Sequence, residues 1–137
     1  MIRSLAHVAV RVSNLDAALE FYCGKLGLEE AFRLSSPEGK PWLVYLKVGG
    51  GTFIELFPGG DPASRASDNA VGPCHFCIEV DDVAATAAGW NAQGVETLSG
   101  PSIGADNSVQ AWFADPDGNR FEIHQYLANS KQAAALR

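Results

Sequence analysis

Polar and apolar residues alternate from Ala6 to Val12, with Val8, Val10 and Val12 on one side and His7, Ala9 and Arg11 on the other. A period of two is the mark of a half-buried strand. The same alternation returns from Cys74 to Val80, where Phe76, Ile78 and Val80 take the places of the three valines and His75 that of His7, at an offset of 68 residues. Helix signals follow each run. Ser13 or Asn14 is placed to cap the first helix, with Asp16 positioned for a capping box, and Asp81 or Asp82 is placed to cap the second. Leu15, Leu19 and Tyr22 align with Val83, Ala87 and Trp90, each set spaced i, i+4, i+7 along one helix face. Gly27 and Gly94 fall where each helix should end.

Strand-like segments follow in both halves, at 29–35, 41–48 and 52–57 and again at 95–98, 108–114 and 120–126. Gly49-Gly50-Gly51 and Asp117-Gly118-Asn119 supply the turns before the last strand of each half. The pattern predicts an α+β protein, a single domain over 1–137 built from two tandem βαβββ modules at 4–57 and 73–126. Residues 58–72, rich in Pro, Gly, Ser, Asp and Asn, read as a linker, and 127–137 as a tail able to form a short helix. The stretch 99–108 reads as a long connection, either a lid or a plain loop.

Composition narrows the function classes. Hydrophobic residues make up 47% of the 137 and charged residues 19%, which fits a packed core. The formal charge of −6, with ten scattered basic residues, argues against a nucleic-acid partner. No apolar stretch approaches the roughly 20 residues that cross a bilayer, and the N-terminus lacks the features of a signal peptide. Three cysteines form no disulfide framework. A cytoplasmic protein acting on a small molecule, with no membrane partner, is expected.

The repeat also pairs candidate chemistry. Glu55 and Glu122 occupy the last strand of each half, 48 and 47 residues after His7 and His75. Alternation turns each glutamate away from its apolar neighbours, and each histidine likewise. If two sheets curve around a shared cavity, two imidazoles and two carboxylates meet there. Such a set suits one borderline divalent ion per site, among Zn, Ni, Co, Mn and Fe. A strand histidine or glutamate taken singly is more often solvated or hydrogen-bonded; four at duplicated positions are not independent accidents.

Through "HVAVRVSNLDAALEFYCGKLGL" and "DPDGNRFEI" the chain resembles the vicinal oxygen chelate superfamily, which includes glyoxalase I, extradiol dioxygenases and bleomycin-resistance proteins. The resemblance spans about Leu5 to Tyr126 and implies a glyoxalase-like fold of curved mixed sheets and a homodimer, with each site built within one chain or shared between two. It implies His7, Glu55, His75 and Glu122 as metal ligands, all four filled as in glyoxalase I. That points to a lactoylglutathione lyase-like lyase or isomerase in which a metal stabilises an enediolate and Glu122, with Glu55 as partner or alternate, shuttles the proton. Arg11 falls where the relatives hold glutathione. Just after Glu55, however, this chain has "FPGG" in place of the Asn-Trp-Gly of bacterial relatives, which leaves the thiol open and leaves Arg11 to glutathione, to another anionic substrate or to a surface salt bridge. Two rival classes stand beside this one. One is an Fe(II) extradiol-type dioxygenase using His7, His75 and Glu122; the other is a non-catalytic binding protein of the bleomycin-resistance type.

Several residues are secondary candidates. Cys74 and Cys77 spell CxxC, but residues three apart on a strand point to opposite faces, so both read as structural cysteines. Cys77 shares the face of His75 and is a candidate for lining the cavity. His124, two residues past Glu122, reads either as a substrate-contacting group or as a rim residue. Trp42, Tyr45, Phe53, Trp112 and Phe113 read as core, with a pocket wall as the alternative.

Overall fold

The computed structural model describes residues 1–137, which form two compact units. The first comprises Met1–Val71 together with Asp115–Asp117, and the second Gly72–Ala114 together with Gly118–Arg137. Each contains a four-stranded mixed sheet, so the α+β class expected from the repeat is the one observed.

In the first unit, β1 (His7–Arg11), β2 (Glu29–Ser35), β3 (Pro41–Lys47) and β4 (Phe53–Phe57) are ordered β1-β4-β3-β2. β1 runs parallel to β4 and places Ala9 beside Glu55 and Arg11 beside Phe57. β3 runs antiparallel to β4 and places Tyr45 opposite Glu55. The glycine-rich turn closes through Val48 N–H to the Thr52 carbonyl at 2.9 Å. Val10, Val12, Leu46, Ile54 and Leu56 are buried. Each such side chain contributes about 1.5–3 kcal/mol on leaving water.

The first helix departs from expectation. Only α1 (Leu15–Leu19) is α-helical, and the chain widens into a π-turn over Glu20–Lys25, with Leu26 N–H reaching the Phe21 carbonyl five residues back at 3.0 Å. The wider turn rotates the buried face. Ala18, Phe21 and Tyr22 are buried, while Leu15 and Leu19 are half-buried. Asn14 rather than Ser13 is the cap, accepting from Ala17 N–H at 2.9 Å. That register places Ala17, not Asp16, at the third helical position, so no capping box forms. Ser13 instead donates from both its backbone N–H and its hydroxyl to the Asp117 carboxylate, at 2.8 and 2.6 Å.

The second unit repeats the plan. β5 (Phe76–Glu79), β6 (Ser99–Ile103), β7 (Val109–Ala114) and β8 (Arg120–Gln125) are ordered β5-β8-β7-β6. The register also repeats: Cys77 lies beside Glu122 and Glu79 beside His124 across the parallel pair, and Trp112 lies opposite Glu122 across the antiparallel one. α2 (Val83–Ala92) is capped by Asp82, which accepts from Ala85 N–H at 2.8 Å, and buries Val83 and Ala87. Trp90 packs edge-on against Phe113 at 5.1 Å. Gly27 and Gly94 adopt φ of 82° and 79° just beyond the two helices, a conformation that side chains with a Cβ resist.

One strand was misplaced by the sequence pattern. The expected strand at 95–98 is absent: Val95 N–H still bonds back to the Trp90 carbonyl at 3.0 Å, and the strand begins at Ser99. The first half of the supposed connection 99–108 is therefore β6. It lies on the sheet edge, exposed throughout, and backbone pairing to β7 rather than a buried face defines it. In the tail, α3 (Lys131–Ala135) is capped by Ser130, which accepts from Ala133 N–H at 3.2 Å.

Candidate functional site

The alternation of β1 and β4 leaves His7, Ala9 and Arg11 exposed and turns Glu55 away from the apolar faces of Ile54 and Leu56. His7 Nε2 lies 3.3 Å from Glu55 Oε2, and Glu55 is only 7% exposed. Tyr45 borders the pair, its ring 5.7 Å from that of His7 and edge-on to it. Its hydroxyl bonds to the Glu55 carboxylate, and that bond pushes the phenol above its ordinary pKa. Phe32 stacks on Tyr45 at 4.4 Å, and Phe53 stands 6.0 Å away. One imidazole and one carboxylate thus sit against an aromatic wall.

The second unit holds the counterpart. His75 Nε2 lies 3.1 Å from Glu122 Oε1, and the Trp112 ring stands 4.6 Å from the His75 ring. Trp112 occupies the register position of Tyr45. The structure thus brings together His7 with Glu55 and His75 with Glu122.

Around Glu122 the second unit goes further. His124, 7% exposed, places Nε2 3.1 Å from Glu122 Oε2. Cys77, Glu122 and His124 each offer a ligand atom, and the three lie within 4.8 Å of one another. Although Cys77 as a residue is exposed, desolvation of its sulfur, with the Glu122 carboxylate next in weight, pushes the thiol up to about 12. Cys77 is not a core residue; it is exposed on the face of His75, while Cys74 lies outside the strand, and both are free thiols. Arg11 lies with its guanidinium 5.1 Å from the centre of the Phe57 ring.

The aromatic residues divide. Phe113 is in the core as expected, whereas Trp42 is 52% exposed and Tyr45, Phe53 and Trp112 are half-buried. Sequence reasoning missed the role of Asp115. Its Oδ2 accepts from the fully buried Tyr22 hydroxyl at 3.0 Å, and its Oδ1 accepts from Asp117 N–H at 3.0 Å. Burial and the nearby Asp115 raise the Tyr22 phenol far above its ordinary pKa. The only signal was an aspartate two residues ahead of another in a tight turn.

The donor atoms fit a divalent ion. Ligand atoms about 2.1 Å from a shared centre lie roughly 3.0–3.4 Å apart in octahedral or tetrahedral geometry. The two nitrogen–oxygen separations of 3.3 and 3.1 Å fall in that span. No helix is long and apolar enough to cross a membrane.

A fold of two four-stranded mixed sheets, one with His7 beside Glu55 and the other with His75, just ahead of β5, beside Glu122, defines a class of protein. The Glyoxalase/Bleomycin resistance protein/Dioxygenase superfamily profile matches residues 4–123. The chain belongs to that superfamily. It is 32% identical over 135 residues to the lactoylglutathione lyase of Neisseria meningitidis, covering 95% of this chain and 96% of that one. A 2-epi-5-epi-valiolone epimerase of an Actinomyces species is 30% identical over 139 residues, covering 85% and 76%. Among solved structures, a glyoxalase family protein from Enterococcus faecalis superposes with a TM-score of 0.75 at 31% identity, covering 89% of this chain and 97% of that one.

Proposed function

We propose that the protein is a metal-dependent lyase or isomerase of the glyoxalase type, acting on a small substrate with adjacent oxygen atoms. The observation that carries this reading is the duplicated imidazole–carboxylate pair, His7 with Glu55 and His75 with Glu122, at 3.3 and 3.1 Å. These four residues are the proposed ligands of one divalent ion. Its contribution when bound is Lewis acidity toward the substrate oxygens.

The remaining chemistry belongs to the chain. Glu122 accepts the proton from the carbon beside the carbonyl and returns it to the neighbouring position, with Glu55 as its symmetric partner. His75 Nε2 stands beside one Glu122 oxygen and His124 Nε2 beside the other, each at 3.1 Å. Tyr45 and Trp112 limit water beside the two carboxylates. Arg11 is the proposed contact for an anionic group of the substrate.

The names of the relatives support a lyase or an isomerase. Some are named lactoylglutathione lyases and one an epimerase, names that fall in the proposed lyase and isomerase classes. The FPGG stretch after Glu55 supports a substrate other than a glutathione adduct. A homodimer is the proposed assembly.

The test is deuterium wash-in from heavy water, screened over methylglyoxal–thiol adducts, 2-methyl-acyl thioesters and cyclic polyol ketones. Metal-loaded wild-type protein should exchange one carbon-bound hydrogen. Glu122→Gln should slow that exchange at least about a hundredfold. Full exchange by Glu122→Gln with metal bound would remove Glu122 as the base. Failure of reloaded wild-type protein to retain stoichiometric metal would sink the whole reading.

A further inference from the structure

The two units share one strand register, yet the second carries donor atoms that the first lacks. Beside Glu55 on the parallel strand stands Ala9; beside Glu122 stands Cys77. Two residues beyond Glu55 comes Phe57, paired with Arg11; two beyond Glu122 comes His124, paired with Glu79. Both additions face Glu122, because residues i and i+2 of a strand share a face and register neighbours lie side by side.

His124 needs an explanation of its own. Its side chain is 9% exposed, and its Nε2 is buried without a hydrogen-bond partner, although Glu122 Oε2 is 3.1 Å away. The contact is close enough for charge attraction but does not give the ring nitrogen a hydrogen bond. Asp106 Oδ2, 3.9 Å from the other ring nitrogen, is likewise buried and unpartnered. A cation in contact with His124 Nε2 and Glu122 Oε2 would satisfy the imidazole. Asp106 would then stand behind it, as a carboxylate stands behind many ligating histidines.

We propose that Cys77, Glu122 and His124 form a second cation site, with a thiolate–imidazole–carboxylate donor set suited to a thiophilic divalent ion such as Zn(II). The three donor atoms lie within 4.8 Å of one another. Sulfur and nitrogen bound to one zinc ion are about 3.6 Å apart. A contraction of roughly an ångström closes the set, and the exposed Cys77 side chain supplies it by rotating about its first torsion. Three protein ligands leave the fourth tetrahedral position open to water or to an incoming group. The site draws on the second unit alone and requires neither His7 nor Glu55. It engages Glu122 through Oε2, whereas Oε1 faces His75.

The experiment is cobalt titration of the chelator-treated full chain carrying Cys23→Ser and Cys74→Ser, so that Cys77 is the one thiol present. Saturation should produce a sulfur-to-cobalt charge-transfer band in the near ultraviolet. The band should persist in His7→Gln/Glu55→Gln, or in Glu55→Gln alone if the double variant fails to fold by circular dichroism. In that same background Cys77→Ala should weaken zinc binding at least tenfold, on the order of what altering one supporting group of a metal site costs. Cobalt bound without the band would overturn this site and leave the four-residue ligand set standing. Loss of the band in folded Glu55→Gln would overturn it too, by showing that the thiol serves the other ion.

Discussion

Tyr22 and Asp115 form a buried pair that ties the π-turn to the segment before β8. Tyr22 is fully buried, and its hydroxyl donates to an aspartate that is 5% exposed and lies five residues before β8 begins. With its pKa raised, the phenol stays protonated and remains a donor. Tyr22→Phe should lower stability by about 2 kcal/mol, the cost of removing a hydrogen bond to a charged group. Urea unfolding should show a lower midpoint with an unchanged slope, and bound metal should not change. The aspartate's presence in a turn was legible in the sequence; its bond to Tyr22, 93 residues away, was not. His7, Glu55, His75 and Glu122 were visible because the repeat displays them twice. The approach of Cys77 to His124 was not, since strand register decides it.

The elements differ in how openly the sequence states them. β1 and β5 alternate in exposure as they do in sequence, whereas β4 and β8 show the same alternation of residue type although both their faces are buried, Glu55 and Glu122 included. β6 has no buried residue, so no hydrophobic period reports it, and it exists because β7 offers backbone partners. The caps divide in the same way. Asp82 behaves as its local sequence predicts, whereas Ser13 is diverted by Asp117 and leaves the cap to Asn14. Asp82→Ala should therefore cost about 1 kcal/mol by loss of the α2 cap. Ser13→Ala should leave the α1 cap intact. Amide exchange in the first turn of each helix checks both: faster at Ala85 in the first variant, unchanged at Ala17 in the second.

At the scale of the whole molecule, the proposed metal would tie stability to two buried carboxylates and one buried imidazole. Glu55, Glu122 and His124 are each 7% exposed, and a bound cation would offset their burial. An ion that binds only the folded chain stabilises it by about 2.7 kcal/mol at a hundred times its dissociation constant. For a chain of this size that amounts to a rise in melting temperature of roughly 8 °C. Chelator treatment should remove the increment and zinc or nickel restore it, followed by scanning calorimetry. An unchanged melting temperature across both steps would count against metal binding by the native chain.

The sequence by itself determined the duplicated alternation, the helix that follows each first strand, and the matching places of two histidines and two glutamates. Those are local properties, written in side-chain period and spacing. The tertiary structure decided which groups became neighbours. It widened the first helix into a π-turn, recruited Ser13 to Asp117, drew a strand from a segment with no apolar face, and gathered Cys77 and His124 around Glu122. Backbone pairing and long-range hydrogen bonds made those choices, and neither leaves a periodic trace in the chain.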